Sequence, residues 1–554
     1  MKRTATLVAL LTCLVLITGL LASCGNGTTT TSNATTATSV TPATTQATAA
    51  PQTTAAPQTT SSAASTETTS PAAPKTGGTL KLNERLAANM PLGDPLTVIG
   101  PVVMRASLAT ERLLLPGDKA GTYRYVLATG CDLAPDKSYY DIHLRQGVKF
   151  HDGTDFNADA VKWNYDRVVA AKRSEFSKVT SFEVIDPYTL RMHLSDWNNQ
   201  ILNDLTDDDT AIISPTAFQK NGADWIANNP VGTGPFVFKG IQNNQILTWE
   251  KNPNYWDTGK PYLDGIQMDT VTDTTTANAA LLAHELDGGQ GNFADADKIK
   301  ADGAYDVWVC DGEFTIALIM NTESKDSVWS DVRMRQALEY AIDKDSVIAD
   351  AGAGYIQPVY NIIKGLEEVT QVQGVPRKYD PAKAKELMAA AGHPSVTCKI
   401  YLEDAAMQGY GDFYLAWQEQ WKKVGINVEF SVIDHGAMSQ MGQSPMPGND
   451  MRIDAIRGNP DNPAGVVIEV LSAGTVFLQG AARPPEWPDL LTKAIHSQDP
   501  NEVLSTLVQM DKLAYDDAMF IPLHTSPLIY VMSKKVHDFK YIRQGYDIAN
   551  CWKE

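Results

Sequence analysis

From Gly25 to about Thr76 the chain is almost entirely Thr, Ala, Ser, Gln and Pro, with Glu67 and Lys75 as its charges. Such a tract buries too little apolar surface to offset the entropy of ordering it, so whatever folds must lie beyond it. The globular sequence therefore runs from about Gly77 to Glu554, long enough for two or three domains of typical size. The tract itself reads as a tether. As a flexible coil it would span roughly 40 Å, and in an extended, proline-stiffened form on the order of 150 Å. Its Thr and Ser density permits O-glycosylation, which composition leaves open.

Upstream stand Lys2 and Arg3, an apolar run from Leu7 to Leu21, and the small residues Ala22 and Ser23, the order an export signal requires. Interrupted by Thr12, Thr18 and Gly19, the run falls short of the roughly 20 apolar residues of a spanning helix. The string Leu21-Ala22-Ser23-Cys24 resembles the bacterial lipoprotein processing box. That resemblance implies that residues 1–23 are a removed signal peptide and that Cys24 carries a lipid. Residues 24–76 would then tether the protein to the extracytoplasmic face of a bacterial cell membrane, in the periplasm or the cell-wall space. An ordinary secretory signal with an incidental cysteine is the alternative.

A net charge of -19 and a pI near 4.9 offer no basic face to displace counterions from phosphate, so a nucleic-acid partner is not expected. Cys131, Cys310, Cys398 and Cys551 are scattered without a Cys-x-x-Cys pair, which points to neither a zinc cluster nor a disulfide-rich scaffold. One or two disulfides remain open outside the cytoplasm, with no pairing assigned.

After Gly77, β-rich runs alternate with capped amphipathic helices, a mixed α/β pattern. Asn157 caps a helix with Val161, Tyr165, Val168 and Val169 on one face. Asp331 caps another, with Met334, Leu338, Ala341 and Ile342 at helical spacing. Asp380 and Pro381 open a third, which buries Ala384, Leu387, Met388 and Ala391 and stops at Gly392 and Pro394. Pro235–Lys239 and Gln245–Glu250 read as strands joined by a turn at Asn243-Asn244.

Six segments then stand in a telling order: His143–Val168 (HLRQGVKFHDGTDFNADAVKWNYDRV), Pro230–Gly240 (PVGTGPFVFKG), Glu250–Ile266 (EKNPNYWDTGKPYLDGI), Ser330–Ile348 (SDVRMRQALEYAIDKDSVI), Tyr379–His393 (YDPAKAKELMAAAGH) and Met519–Tyr541 (MFIPLHTSPLIYVMSKKVHDFKY). Together they resemble the successive blocks of the extracytoplasmic solute-binding proteins, family 5, of peptide- and nickel-type ABC importers. The resemblance implies a bilobal, periplasmic-binding-protein-like fold of type II with an extra inserted subdomain and a ligand cleft between lobes. It maps lobe I to 77–113, 231–311 and 520–554, the insertion to 114–230 and lobe II to 312–519. Crossings are expected near Asp311–Phe314 and Ala518–Phe520. It further implies a monomer that hands a small ligand, an oligopeptide or dipeptide above all, to an ABC permease and its ATPase. An oligosaccharide or a metal chelate is the alternative cargo, and a ligand sensor or a glycan-processing surface enzyme is the alternative role.

The residues supply little enzyme chemistry. His284-Glu285 begins like a zinc-protease motif, but Gly288 stands where the second histidine belongs. There is no Gly-x-Ser-x-Gly elbow and no Walker sequence. Gly232-Thr233-Gly234-Pro235 lacks the ending of a phosphate loop and reads as a tight turn. His151-Asp152-Gly153 reads as turn chemistry, Tyr255 and Trp256 as aromatics closing a core under a loop, and Asp207-Asp208-Asp209 as solvated surface. No catalytic residue, metal or cofactor is expected.

Ligands in open α/β sheets collect beyond the carboxyl ends of strands. Thr397–Leu402 and Arg452–Ile456 are strand-like, so the loops Glu403-Asp404-Ala405-Ala406-Met407 and Arg457-Gly458-Asn459-Pro460-Asp461 are the expected cleft. Arg457 can fork onto a carboxylate, Asp404 or Asp461 can meet a cation, and the amide of Asn459 can do either. Met407, in the first loop, and Phe314, at the first crossing, complete the expected ligand-binding set, while Trp417 reads as core. Peptide-binding members of the family carry an aspartate after the segment matching Ile456 to receive the peptide's α-ammonium. Either Asp461 fills that role or Asn459 replaces it.

Overall fold

The computed structural model describes residues 73–554 apart from 99–101, 118–120, 174–175, 311–313, 365, 367–375, 459–461, 473–474, 476–477 and 543–544. Cys24, the signal and the tether lie outside the described residues.

The chain lays down β1 (Thr79–Glu84) and then makes a long excursion. There β2 (Leu114–Pro116) pairs with β3 (Tyr123–Tyr125), and β4 (Ala128–Leu133), β5 (Tyr139–Leu144), β6 (Val179–Asp186) and β7 (Thr189–Leu194) form a sheet in the order β4-β5-β7-β6. Helix α1 (Ala158–Ala170) begins where Asn157 accepts a bond from the Ala160 amide, and it buries Val161, Tyr165 and Val168 against that sheet. The excursion has its own core, from Leu113 to Ile212. The chain returns through β8 (Phe236–Gln242), β9 (Ile246–Lys251), β10 (Gly265–Thr270), β11 (Gly288–Gln290), α2 (Phe293–Asp302) and β12 (Tyr305–Cys310). Asn243 and Asn244, at φ 50° and 55°, make the β8–β9 turn in the left-handed region that Asn tolerates.

A second unit follows: β13 (Phe314–Met320), α3 (Val332–Tyr340), α4 (Pro381–Ala390), β14 (Val396–Glu403), α5 (Asp404–Val424), β15 (Ile426–Ile433), α6 (His435–Gly442), β16 (Met451–Arg457), α7 (Trp487–His496), α8 (Pro500–Asp516) and β17 (Ile521–Thr525). Its strands form a sheet in the order β15-β14-β16-β13-β17. Asp331 and Asp380 cap α3 and α4 through the Arg333 and Lys383 amides. One face of the sheet packs on Met334, Leu338, Met388, Trp417 and Trp421, the other on Val467, Trp487, Met510 and Phe520. The chain then returns as β18 (Leu528–Ser533) to the first sheet, ordered β12-β18-β11-β1-β10-β9-β8.

Two connections join the units, Cys310 to Phe314 and Thr525 to Leu528. The second falls one strand later than the Ala518–Phe520 expected from sequence. The reason is pairing: β17 runs antiparallel to β13 with Thr315 opposite Thr525, so Ile521–Thr525 belongs to the second sheet. A second correction concerns Glu403–Met407, read as a loop. Asp404 opens α5 directly after β14, because Ala405, Ala406 and Met407 are strong helix formers and Asp404 suits a first turn.

Several sequence motifs turn out to be joinery. A side chain on Gly232 or Gly234 would meet the Ala109 backbone at 2.3 Å or 2.6 Å, so the glycines permit two backbones to touch. His151 is half-buried, with Nε2 at 2.9 Å from the Gly234 carbonyl. Tyr255 Oη and Trp256 Nε1 donate to the buried Glu111 carboxylate, as does Thr233. The aspartate run is more than solvated surface: Asp208 pairs with Arg112 at 2.9 Å and Asp209 with Arg173 at 3.1 Å. Cys131, Cys398 and Cys551 are free thiols. Among the described residues no helix is long and apolar enough to cross a membrane.

Candidate binding cleft

Strand direction fixes which edges face each other. In the first sheet β11 runs parallel to β1, and Gln290 near its end lies opposite Tyr530, close to the start of β18. Cys310, ending β12, lies opposite Leu528. In the second sheet β14 and β16 are parallel, Arg457 ends opposite Phe314, and Thr525 ends opposite Thr315. The two connections start and finish on these edges. The carboxyl ends of β1, β11, β14 and β16 are therefore turned toward the crossings, where ligands of open sheets collect.

Phe314 stands half-buried at the start of β13, and its carbonyl accepts from the Ser526 amide at 3.1 Å, which ties the two crossings together. Arg457 is its register partner at the end of β16. Asp404 is exposed at the head of α5, and Met407, one turn on, packs against the second unit's core. Asp404 and Phe314 stand at strand ends separated by β16, two strand spacings or about 10 Å across the sheet. The side chain of Arg457, and all of Asn459 and Asp461, lie outside the described residues.

The structure adds residues that sequence reasoning passed over. Tyr410, one turn beyond Met407 on α5, places Oη 2.9 Å from Ser526 Oγ in the second crossing. Its ring lies parallel to Phe293, which comes from α2 of the first unit, with centroids 6.0 Å apart. It also sits 4.5 Å from the ring of His524. Burial pushes the His524 imidazole down to about 4, so the ring is neutral at physiological pH. Nδ1 lies 2.8 Å from the Thr525 carbonyl and must carry the proton, which leaves Nε2 to accept from Tyr414 Oη at 3.3 Å. His524 and Ser526 stand in the HTSP string, but nothing in the sequence links that string to Tyr410.

Carboxylates gather where β14 ends, level with Asp454 in the middle of β16. Glu403, ending β14, accepts from His435 Nδ1 at 2.9 Å. Asp454 on β16 is held above the usual carboxylate range by burial, while Arg452, 3.3 Å away, pulls it back. With the Asp404 carboxylate, this group suits a ligand that presents a positive charge and an apolar body. Among the described residues no three His, Cys, Asp or Glu side chains converge as metal ligands would.

Residues 122–468 match the family described as bacterial extracellular solute-binding proteins, family 5 Middle. The glutathione-binding protein GsiB of Shigella flexneri serotype 5b (strain 8401) is 28% identical over 458 residues, covering 76% of this chain and 84% of that protein. The periplasmic binding protein DppA from Helicobacter pylori, solved in complex with the peptide STSA, has the same fold with a TM-score of 0.71 at 23% identity, covering 87% of this chain and 99% of that one. NikA from Brucella suis, solved with Fe(III)-EDTA, gives 0.73 at 21% identity, covering 86% and 100%.

Proposed function

Because this chain belongs to the bacterial extracellular solute-binding proteins of family 5, we propose that it captures a short peptide between its two lobes and delivers it to an ABC permease and its ATPase. The observation that carries this reading is the group of Glu403, Asp404 and Asp454 where β14 ends, on the sheet whose opposite face carries the Tyr410–Phe293 stack between the two units. Asp461, or one of these carboxylates, receives the peptide's α-ammonium. Arg457 forks onto its carboxylate, Asn459 bonds its backbone, and Phe314 and Met407 line the apolar side. GsiB is named for glutathione and DppA was solved with a peptide, and both ligands carry an ammonium and a carboxylate. A polycarboxylate chelate such as the Fe(III)-EDTA of NikA would be repelled by this group.

In the same reading the protein works as a monomer, residues 114–230 are an insertion in the first lobe, and Cys24 bears the lipid that holds the tether to the membrane's outer face. Cys24→Ser should leave the protein unprocessed or shed. A variant still anchored after signal removal would end the lipid assignment.

The capture reading is tested with short peptides, glutathione included, with free and acetylated N-termini. Each is added to wild type and to Asp461→Asn while melting temperature and solution scattering are followed. A bound peptide should raise the melting temperature by mass action and compact the molecule. If Asp461 is the anchor, acetylation and Asp461→Asn should each cost about 2–5 kcal/mol, on the order of a hundredfold or more. Indifference to both changes would point to an oligosaccharide or another neutral solute. No response to peptides, sugars or chelates would end the reading.

A further inference from the structure

We propose that residues 196–200 of the insertion are a clasp that closes the cleft by capping the C-terminal end of α7 in the second lobe. The Asn199 amide donates to the Ile495 carbonyl at 2.8 Å. Asn199 Nδ2 donates to the carbonyls of Ala494 at 2.9 Å and Ser497 at 3.1 Å. The last carbonyls of a helix have no donor within it, so an outside amide here completes α7. Gln200 Oε1 accepts from Asn462 Nδ2 at 2.6 Å, and Asn462 is also the cap of the short helix Pro463–Val466. Asp196 Oδ2 lies 3.2 Å from His496 Nε2. Three adjoining contacts thus span from one turn of the insertion to two helix ends of the other lobe.

The turn is built to hold its shape when the contact is broken. Asn198 Oδ1 accepts from the Gln200 amide at 2.8 Å, a local bond that sets the bend. Trp197 anchors it from below, buried, with Nε1 donating to Tyr140 Oη at 3.0 Å and Lys137 Nζ 4.0 Å over its ring. On the opposite side Trp487 and Ala494 fix α7 in the second lobe's core. Both halves are therefore preformed, and what passes between them is mainly neutral amide to carbonyl, which water can replace at little loss. Such bonds suit a contact made and broken repeatedly.

This inference rests on the capture reading for its purpose, but its test needs no ligand. Three samples of the full chain are compared by solution scattering: wild type, the double variant Asn199→Ala/Gln200→Ala, and Asn199→Cys/Ile495→Cys oxidised to lock the contact and then reduced as its own control. The locked chain should be more compact than the double variant, and reduction should release it, while the double variant melts within a few degrees of wild type. If locked and double-variant chains scatter alike, the contact does not govern closure and the clasp is refuted. Where a peptide binds, the double variant should bind it about tenfold more weakly, since closure then loses bonds made only in the closed state. Failure of every peptide to bind would sink the capture reading and leave the scattering result intact.

Discussion

Two polar junctions in this molecule join segments far apart in sequence, and they are built in opposite ways. Inside the second lobe, Glu339 accepts from Lys344 Nζ at 2.8 Å and from Arg377 Nε at 2.6 Å, with all three side chains almost wholly buried. Lys344 also donates to the Val359 and Pro522 carbonyls, and Arg377 lies 3.6 Å over the Tyr515 ring while donating to the Tyr515 carbonyl. The knot ties α3, α8, β17 and the segment around Val359 together. The clasp at Asn199 is mainly part-buried amides and carbonyls, with Asp196 and His496 at its margin. A buried ion cluster is costly to form and far more costly to leave half-made, whereas neutral amide bonds that water can replace cost little to break. The difference separates what holds a lobe together from what brings two lobes together.

The largest expected effect comes from breaking the knot. Glu339→Gln leaves two cations buried with one carboxylate missing, so the second lobe should lose about 3–5 kcal/mol, read as a lower urea midpoint. Replacing Glu339, Lys344 and Arg377 together with apolar residues of similar volume should recover much of that loss. Equal stability of Glu339→Gln and wild type would mean that the knot is solvated and that the contrast with the clasp is false.

Glu111 provides an intermediate case: a carboxylate as buried as the knot, but held by neutral donors. Burial pushes it up to about 7, against the lowering pull of Trp256, Thr233, Tyr255 and Arg145. Raised above its ordinary value near 4.5, the group contributes stability that is fully present below about 4.5 and is lost as pH rises through about 7. That interval corresponds to roughly 3 kcal/mol. Unfolding measured from pH 5 to 8 should show wild type weakening across this window, with Glu111→Gln flattening the slope. The glutamine can keep the bonds, since its carbonyl accepts from Trp256 while the Thr233 and Tyr255 hydroxyls can reverse.

These junctions also mark how far the sequence can be read. The caps at Asn157, Asp331 and Asp380 are legible because a cap and its helix are neighbours. Strands β14 and β16 are legible from their alternation of apolar and polar residues. The start of α5 is not, because a helix that begins directly at a strand end has no turn residues to mark it. Tyr410 and Ser526 are 116 residues apart, and Asn199 and Ala494 are 295 apart. Each alone looks like a core tyrosine or a turn asparagine, and only folding supplies the partner. Tyr255 and Trp256 read correctly as packing, but the buried carboxylate they serve cannot be seen from their own segment.

The smallest expected effect sharpens the comparison most. Tyr355 of the second lobe donates from Oη to Asp297 Oδ1 of α2 at 2.6 Å, a bond between lobes outside the clasp. Asp297 lies one helical turn beyond Phe293, whose ring stacks on the Tyr410 that bonds Ser526 in the second crossing. A contact so close to the connecting strands moves little when the lobes rotate about them, so it should be nearly as well made in the open state as in the closed one. Differential interaction with the two states, not the strength of a bond, is what shifts their balance. Tyr355→Phe should therefore cost less than about 1 kcal/mol in unfolding and leave both compaction and peptide affinity within twofold of wild type. Asn199→Ala, losing two amide-to-carbonyl bonds, should change affinity and compaction while leaving unfolding alone. If Tyr355→Phe loosens the molecule as much as Asn199→Ala does, closure is spread over the whole inter-lobe surface and the clasp has no special place in it.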